Sequence, residues 1–365
     1  MQFNGPGVAG IIVNGLKRIP SLDGLRAVSI LLVLFAHSRY SVGFPVQLSR
    51  LAYHCAVGVT VFFVISGFLI TTLLLTEEAK NGFVNRTDFY IRRAFRILPI
   101  FLLFILFVTL WRKVEAIGLT NGDILHALTF TVNFAPGRGS WFISHFWTLS
   151  VEEQFYLLWP TVFIISRKHL KPVLCVFIIY SCISRAIWHR YPEFGTVALA
   201  PYFSASDAIM IGALGGILLF ENPGLTSQKI FDRWSLKLLA IIIIAFFVYC
   251  VDSGKLSIIA IPFGNVFISA SILFLVFAYL KPSNSLAYKF LNNKIMVHIG
   301  LLSYSLYVWQ QFFIKGSTPF TWRTFPLNIL FIYLAALASY YLWEQPFLKF
   351  RKTHFAKAPA KVLVK

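Results

Sequence analysis

Residues 56–75 read AVGVTVFFVISGFLITTLLL and contain no charged residue. A helix needs about 20 predominantly apolar residues to cross the hydrocarbon core of a bilayer, so this stretch predicts a membrane span. Residues 256–280 and 324–343 are also free of charge, and residues 194–220 contain only Asp207 before Glu221. A transmembrane β-barrel is disfavoured, because barrel strands alternate apolar and polar residues whereas these stretches are continuously apolar.

The composition of the whole chain agrees with a membrane protein. Its 365 residues are 58% hydrophobic and only 13% charged, yet the formal net charge is +19. Soluble domains carry about 25% charged residues. A nucleic-acid binder would concentrate its basic residues on one face and would not contain such long apolar runs. The lipid bilayer is therefore the expected partner, and no nucleic acid is expected.

Apolar runs bounded by charged residues predict an all-α, polytopic transmembrane bundle of about ten spans. Their centres lie near Val33, Val64, Leu103, Trp159, Ile178, Met210, Ile244, Phe267, Val308 and Leu334. Arg185 and Asp252 interrupt the fifth and seventh runs early, which leaves open whether these two cross fully. With both termini in the cytoplasm, 22 of the 33 Lys and Arg residues fall on the inside, as the positive-inside rule expects.

The run pattern predicts a single membrane domain over residues 1–350. Residues 351–365 then form a short basic cytoplasmic tail, which anionic lipid would attract. No composition shift indicates a further soluble domain, so a stand-alone membrane domain is expected.

Ionisable residues inside apolar runs are costly and are therefore candidates for function. Arg26 and His37 lie eleven positions apart in the first run. On an α-helix this spacing puts them on one face, about 16 Å apart along the axis. The alternative is an Arg whose charge reaches the membrane surface and a His at the interface.

Adjacent carboxylates, Glu152 and Glu153, lie near the start of the fourth run. At this depth Glu152 could meet His37, and a carboxylate beside a histidine is a reasonable general-base arrangement. Their contact in space is a hypothesis. The alternative is that the acidic residues only complement the dipole of a helix N-terminus.

Three arginines, Arg92, Arg93 and Arg96, precede the third run. Arg93 and Arg96 are spaced to share a helix face. Arginine binds phosphate bidentately, so a phosphorylated cytoplasmic ligand could be anchored here. Ordinary positive-inside charge is the alternative.

Together these residues resemble the membrane acyltransferase-3 family, the bacterial glycan O-acyltransferases, over residues 19–350. The motifs that carry the resemblance occur in order: LDGLR at 22–26 with His37, FFVISGFLI at 62–70, FYIRRAFRILP at 89–99, WTLSVEEQFY at 147–156, SYSLYVW at 303–309 and EQPF at 344–347.

The resemblance implies an integral membrane enzyme that moves an acyl group, usually acetyl, from cytoplasmic acyl-CoA to a glycan hydroxyl. The acceptor would be a polysaccharide or lipopolysaccharide of the cell envelope, and the location the bacterial inner membrane. Acyl-CoA would be a co-substrate, with no permanently bound cofactor and no metal. Members fused to an extracytoplasmic hydrolase-like domain are a different subgroup from the one expected here.

Carried over position by position, His37, Glu152 and Arg26 are the catalytic candidates. Arg92, Arg93 and Arg96 with the turn Ser66, Gly67 and Phe68 are the acyl-CoA candidates. Asp23, Glu153, Trp147, Ser150 and Tyr304 rank below them.

Two positions depart from the family pattern. Gln310 stands where many members have His, so no proton transfer is assigned to it. Many members also have an Arg near the position of Asp207, whereas residues 204–206 are Ser-Ala-Ser here, which leaves a cation at this site in doubt.

A second class of function remains open. In a proton-coupled secondary transporter, His37 and Glu152 would form a proton relay. Inverted repeats with paired broken helices would favour it, and the sequence has no convincing internal repeat.

Overall fold

A computed structural model describes residues 19–135, 137, 139–191, 206–315 and 320–355. All regular secondary structure in these residues is helical. The long helices are α1 (Pro20–Ser38), α2 (Gly58–Asn81), α3 (Arg86–Trp111), α4 (Phe146–Ile165), α5 (Leu170–Arg190), α6 (Ser206–Glu221), α7 (Trp234–Ser253), α8 (Ser257–Leu280), α9 (Lys294–Ile314) and α10 (Leu327–Ser339). Short helices cover Ser49–His54, Asn121–Leu128, Trp141–Ser144 and Leu286–Leu291.

Each predicted span centre lies inside one of these helices, in the predicted order. In the described ranges, seven helical segments are long and apolar enough to cross a membrane. The protein is therefore an all-helical, multi-pass membrane protein. Of the three long helices outside this group, α6 has only 16 residues, and α4 and α9 carry polar side chains such as Glu152 and Gln310.

Helix boundaries follow from local sequence. At the end of α2, Gly82 adopts a left-handed conformation with φ of 78°, which glycine reaches without steric cost. The Asn85 side chain then accepts a hydrogen bond from the backbone N–H of Asp88 and so caps the start of α3.

Helix α2 is central, and its closest neighbour is α6. Gly67 of α2 lies against the carbonyl of Ile209, and Gly212 of α6 lies against the carbonyl of Val64. A Cβ atom at either glycine would overlap the facing backbone. Small residues allow helices to approach closely in a membrane, and Gly67 and Gly212 do so here.

The last helix continues beyond the predicted boundary of the membrane domain. A π-helical turn at Tyr340–Glu344 links α10 to a helix at Gln345–His354, which passes through residue 350 without a break. The Phe350 ring stacks on Phe95 of α3 at a centroid distance of 6.2 Å. Residues 351–354 thus extend the bundle, whereas residues 356–365 of the predicted tail lie outside the described residues.

The glycine contact predicts a large effect from one methyl group. Replacing Gly212 by Ala should lower the free energy of unfolding by about 1–3 kcal/mol, because α2 and α6 must move apart. The melting temperature of the purified protein in detergent should fall accordingly. Differential scanning fluorimetry would measure the shift. Gly224→Ala is the control, since its added Cβ meets nothing within 4 Å. Equal melting temperatures for the two variants would contradict the prediction.

Candidate active site

A cavity of about 310 Å³ lies where α1, α2, α3, α4 and α9 converge with the C-terminal helix, and we call it the arginine cavity. Its wall contains the side chains of Arg26, Arg92, Arg93, Arg96 and Arg351, and Glu152 is the one carboxylate among the described lining residues. Even with Arg92 paired to Glu77 outside the lining, the groups that line the cavity give it a positive surface. Such a wall suits a phosphate-bearing ligand, because guanidinium groups bind phosphate oxygens in pairs.

The arginines are held in place by neighbours on other helices. Arg92 forms an ion pair with Glu77 of α2 at 2.8 Å, and the Arg93 guanidinium lies 4.5 Å from the centroid of the Tyr156 ring. The Ser66 hydroxyl donates a hydrogen bond of 2.7 Å to Glu152. Arg26, the arginines of α3, Ser66 and Glu152 therefore line one cavity.

Arg351 is a cavity residue that the sequence analysis missed. Its position after the EQPF motif resembles an ordinary basic tail. Only the uninterrupted helix Gln345–His354 carries it back to α3 and into the cavity wall. No feature of the linear sequence distinguishes Arg351 from the other basic residues around it.

A second cavity, of about 330 Å³, lies toward the opposite end of α1, and we call it the histidine cavity. His37, Arg39, Tyr40, Trp141, His145 and Trp147 contribute to its wall. No Asp or Glu is among the lining residues that the structure describes. Its aromatic side chains offer apolar faces and His37 offers a ring nitrogen, whereas both ring nitrogens of His145 already lie beside the Gln311 and Val308 oxygens.

His37 is oriented by Gln310 of α9. The His37 Nδ1 atom lies 3.0 Å from the Gln310 side-chain oxygen, which can only accept a hydrogen bond. With the Gln310 amide in this orientation, Nδ1 carries the hydrogen and Nε2 keeps its lone pair. A neutral histidine fixed in this tautomer can take a proton at Nε2.

The structure differs here from the predicted contact between His37 and Glu152. Glu152 accepts its hydrogen bond from Ser66 and lines the arginine cavity, whereas His37 bonds to Gln310 and lines the histidine cavity. The physical reason is depth, because Arg26 and His37 are about 16 Å apart along α1 and Glu152 lies at the level of Arg26. Gln310, to which no proton transfer was assigned, orients the ring instead.

The three residues of the Ser66-Gly67-Phe68 turn face different neighbours. Ser66 faces the arginine cavity, but neither Gly67 nor Phe68 is among its described lining residues. Gly67 contacts α6, and the Phe68 ring packs against Phe277 of α8 at 6.2 Å. Successive residues on an α-helix turn by about 100°, so neighbours in a motif face different partners. Gly67 and Phe68 thus pack against α6 and α8, and their predicted role in acyl-CoA binding stays a prediction.

The lower-ranked candidates divide in the same way. Tyr304 lines the arginine cavity and donates a hydrogen bond of 2.9 Å to the Ile97 carbonyl, and Trp147 lines the histidine cavity. Ser150 is buried and accepts a hydrogen bond from the Val132 backbone N–H at 3.2 Å, which fastens a loop.

The two remaining lower-ranked candidates are acidic. Asp23 is buried one turn before Arg26. Glu153 has one carboxylate oxygen that is buried without a hydrogen-bond partner. Neither residue is among the described residues that line the two cavities.

Comparison with known proteins identifies the family. A family model described as an acyltransferase domain, that of acyltransferase-3, matches residues 19–343. The chain belongs to this family. No solved structure gives a significant match.

Relatives in Staphylococcus aureus align with most of the chain. O-acetyltransferase OatA of strain NCTC 8325 is 30% identical over 94% of this chain and 60% of its own length. A protein of strain COL named "Putative O-acetyltransferase" is 27% identical over 92% of this chain and 58% of its own length. The chain thus spans about 60% of the length of the curated relatives it matches.

A buried ion pair supplies the cation that the acyltransferase-3 pattern has near Asp207. Arg185 of α5 lies 2.7 Å from Asp207 of α6, and their side chains are 8% and 0% exposed. Arg185 also donates to the Pro262 carbonyl at 2.7 Å, and Asn265 donates to Asp207 at 2.5 Å. The sequence around Asp207 lacks this cation because it comes from 22 positions earlier in the chain. The structure thus places a cation beside Asp207, supplied by another helix.

Breaking this pair should be costly. Asp207→Ala leaves the buried Arg185 without its counter-charge and should lower stability by about 3–5 kcal/mol. The double variant Arg185→Met/Asp207→Ala should be more stable than Asp207→Ala, because no charge then remains buried. Thermal melting in detergent would measure both variants. A double variant less stable than the single one would argue against a simple ion pair.

Proposed function

We propose that this chain is a membrane O-acyltransferase. It moves an acyl group, which we take to be acetyl, from cytoplasmic acyl-CoA to a hydroxyl of a cell-surface or secreted glycan. One observation carries the proposal: an arginine-rich cavity and a histidine-containing cavity lie toward opposite ends of α1 and share part of their lining. Such an arrangement suits a reaction whose two substrates arrive from opposite sides of a membrane. Membership of the acyltransferase-3 family supports the same chemistry.

The arginine cavity would bind acetyl-CoA. Arg92, Arg93, Arg96 and Arg351 would hold the phosphates of the donor, because each guanidinium offers paired hydrogen bonds to phosphate oxygens. The uncharged pantetheine arm would then extend past Arg26 toward His37. The distance between these two residues is about 16 Å along α1. That distance is comparable to the reach of the arm.

The reaction would occur beside His37. His37 Nε2 would take the proton from the acceptor hydroxyl as its oxygen attacks the thioester carbonyl carbon. The C–S bond then breaks, the new C–O ester bond remains on the glycan, and the CoA thiolate receives the proton from the imidazolium. Gln310 would hold the ring in the required orientation throughout, because its side-chain oxygen bonds the protonated Nδ1.

Glu152 would act in donor binding rather than in orienting His37. It is the single carboxylate in the described wall of the arginine cavity, and Ser66 fixes its position. Because Glu77 already pairs with Arg92, the Glu152 carboxylate would reduce the mutual repulsion of the other guanidinium groups when no donor is bound. The site then stays assembled while it keeps a net positive charge.

We further propose ten membrane spans with both termini in the cytoplasm of a bacterium and the protein in its inner membrane. The distribution of Lys and Arg supports this orientation, since it puts 22 of 33 on the cytoplasmic side. In this orientation the arginine cavity faces acyl-CoA in the cytoplasm. The histidine cavity then faces the acceptor glycan on the outer side.

The competing proposal, a proton-coupled transporter, depends on a relay between His37 and Glu152. These residues bond to different partners in different cavities. No observation favours the relay over acyl transfer. Purified protein incubated with labelled acetyl-CoA and cell-envelope glycan would distinguish the two functions. Label on the glycan supports the enzyme, and substrate counterflow without transfer supports the transporter.

Acyl transfer should depend on the His37 imidazole. His37→Ala should reduce label transfer by about 10²–10⁴-fold, the usual contribution of a general base, while acetyl-CoA binding and melting temperature stay close to those of the wild type. His126→Ala is a matched control, because His126 bonds to Thr131 and lines neither cavity. Transfer that survives in His37→Ala at the rate of the control would exclude His37 as the base.

Donor binding should depend on the arginines of the arginine cavity. Arg93→Gln should raise the KM for acetyl-CoA about tenfold or more, since hydrogen bonds to charged groups contribute about 1.5–3 kcal/mol. Arg86→Gln removes the same charge from the exposed start of α3, outside the cavity, and should leave the KM unchanged. Isothermal titration with CoA would measure binding directly. Normal CoA affinity in Arg93→Gln would leave the arginines with a topological role only.

A further inference from the structure

The arginine and histidine cavities have a common wall. Val59 and Phe63 of α2 and Tyr307 of α9 line both cavities. Every other described lining residue belongs to one cavity alone. We call these three side chains the partition.

The partition is held firmly in place. Phe63 is 2% exposed, and its ring packs edge-on against Trp147 at a centroid distance of 6.1 Å. The Tyr307 hydroxyl donates to the His145 carbonyl at 2.6 Å and lies 2.5 Å from the Thr148 hydroxyl. Two aromatic rings with fixed neighbours and one β-branched side chain thus bound the boundary between the cavities. Inserting additional atoms into such a well-packed interior is energetically unfavourable.

We propose that the partition selects the acyl group by size, admitting acetyl and excluding longer chains. The inference rests on the proposed function, in which the donor occupies the arginine cavity and the acceptor hydroxyl lies in the histidine cavity. The acyl group is then the part of the donor that must lie at the partition, where its carbonyl carbon exchanges a C–S bond for a C–O bond. Each further methylene would have to fit against Phe63, Val59 or Tyr307.

The chemistry of the partition agrees with selection by size rather than by charge. Phe63 and Val59 carry no polar side-chain atom, and the Tyr307 hydroxyl is already bonded to the His145 carbonyl and the Thr148 hydroxyl. A short acyl chain loses no hydrogen bond when it enters such a boundary. A longer chain would require Phe63 to leave its contact with Trp147. Differences of one methylene typically change rates about 10- to 200-fold where an apolar pocket sets the limit.

The test compares acetyl-CoA with butyryl-CoA as labelled donors for transfer to cell-envelope glycan by purified protein. The measured quantity is the ratio of the two kcat/KM values, because a loss of folded protein lowers both equally and leaves the ratio unchanged. The wild type should prefer acetyl by about 100-fold or more, since two methylenes are added. Phe63→Ala should reduce this preference at least tenfold.

Matched variants separate the partition from general loosening of the core. Phe277→Ala removes the same ring from a site that is 5% exposed and lines neither cavity, so its ratio should equal that of the wild type. If Phe63→Ala does not fold, Val59→Ala takes its place. Val61→Ala on the same helix, which lines neither cavity, is then the control.

Three results would overturn the inference. The wild type could transfer butyryl as readily as acetyl, or the preference could persist unchanged in Phe63→Ala and Val59→Ala while acetyl transfer continues. In either case acyl transfer itself stands and only selection by the partition fails. Absence of label on any glycan fraction from either donor would instead remove the proposed function, and this inference with it.

Discussion

Charged groups inside a membrane bundle need either a partner or a polar cavity, because hydrocarbon cannot solvate them. Arg185 and Asp207 meet this constraint by pairing, as do Arg323 and Glu115 at 2.6 Å. The arginines around Glu152 meet it differently, since Arg92 pairs with Glu77 while all of them also line a cavity in which Glu152 is the one carboxylate among the described lining residues. Paired ions fasten helices together, whereas an excess of one charge around a cavity requires a ligand or solvent. This difference separates the structural ions of the bundle from those of the candidate site.

Helix α2 connects the packing of the bundle to the site. One face carries Gly67, whose missing side chain allows α6 to approach, and this contact brings α6 and its ion pair into the bundle. Another face carries Ser66 toward Glu152. Nearer the start of the helix, Val59 and Phe63 lie between the two cavities. A rigid α2 therefore fixes the distance between donor site and acceptor site in the proposed reaction.

The helices and the arginines of the site could be predicted because each depends on local sequence. Long apolar runs specify spans wherever they occur, and Arg93 and Arg96 share a face through helical spacing alone. The partners of His37 and Asp207 could not be predicted in this way. Gln310 is 273 positions from His37, and Arg185 reaches Asp207 from another helix. These pairings depend on how the helices pack, which hydrophobic runs do not encode.

Residues that are adjacent in a motif are also hard to assign from sequence, because successive residues on a helix face different directions. Ser66 and Gly67 occur together in the acyltransferase-3 pattern, yet one faces Glu152 and the other faces α6. A single motif can therefore meet two requirements. One residue acts at the site, and the next allows the close helix packing that positions it. In a bundle whose cavities lie beside α2, loss of the packing glycine would displace Ser66, Phe63 and Val59 together. Binding and packing are thus requirements on the same turn of helix, and substitutions there separate them only when the faces are distinguished.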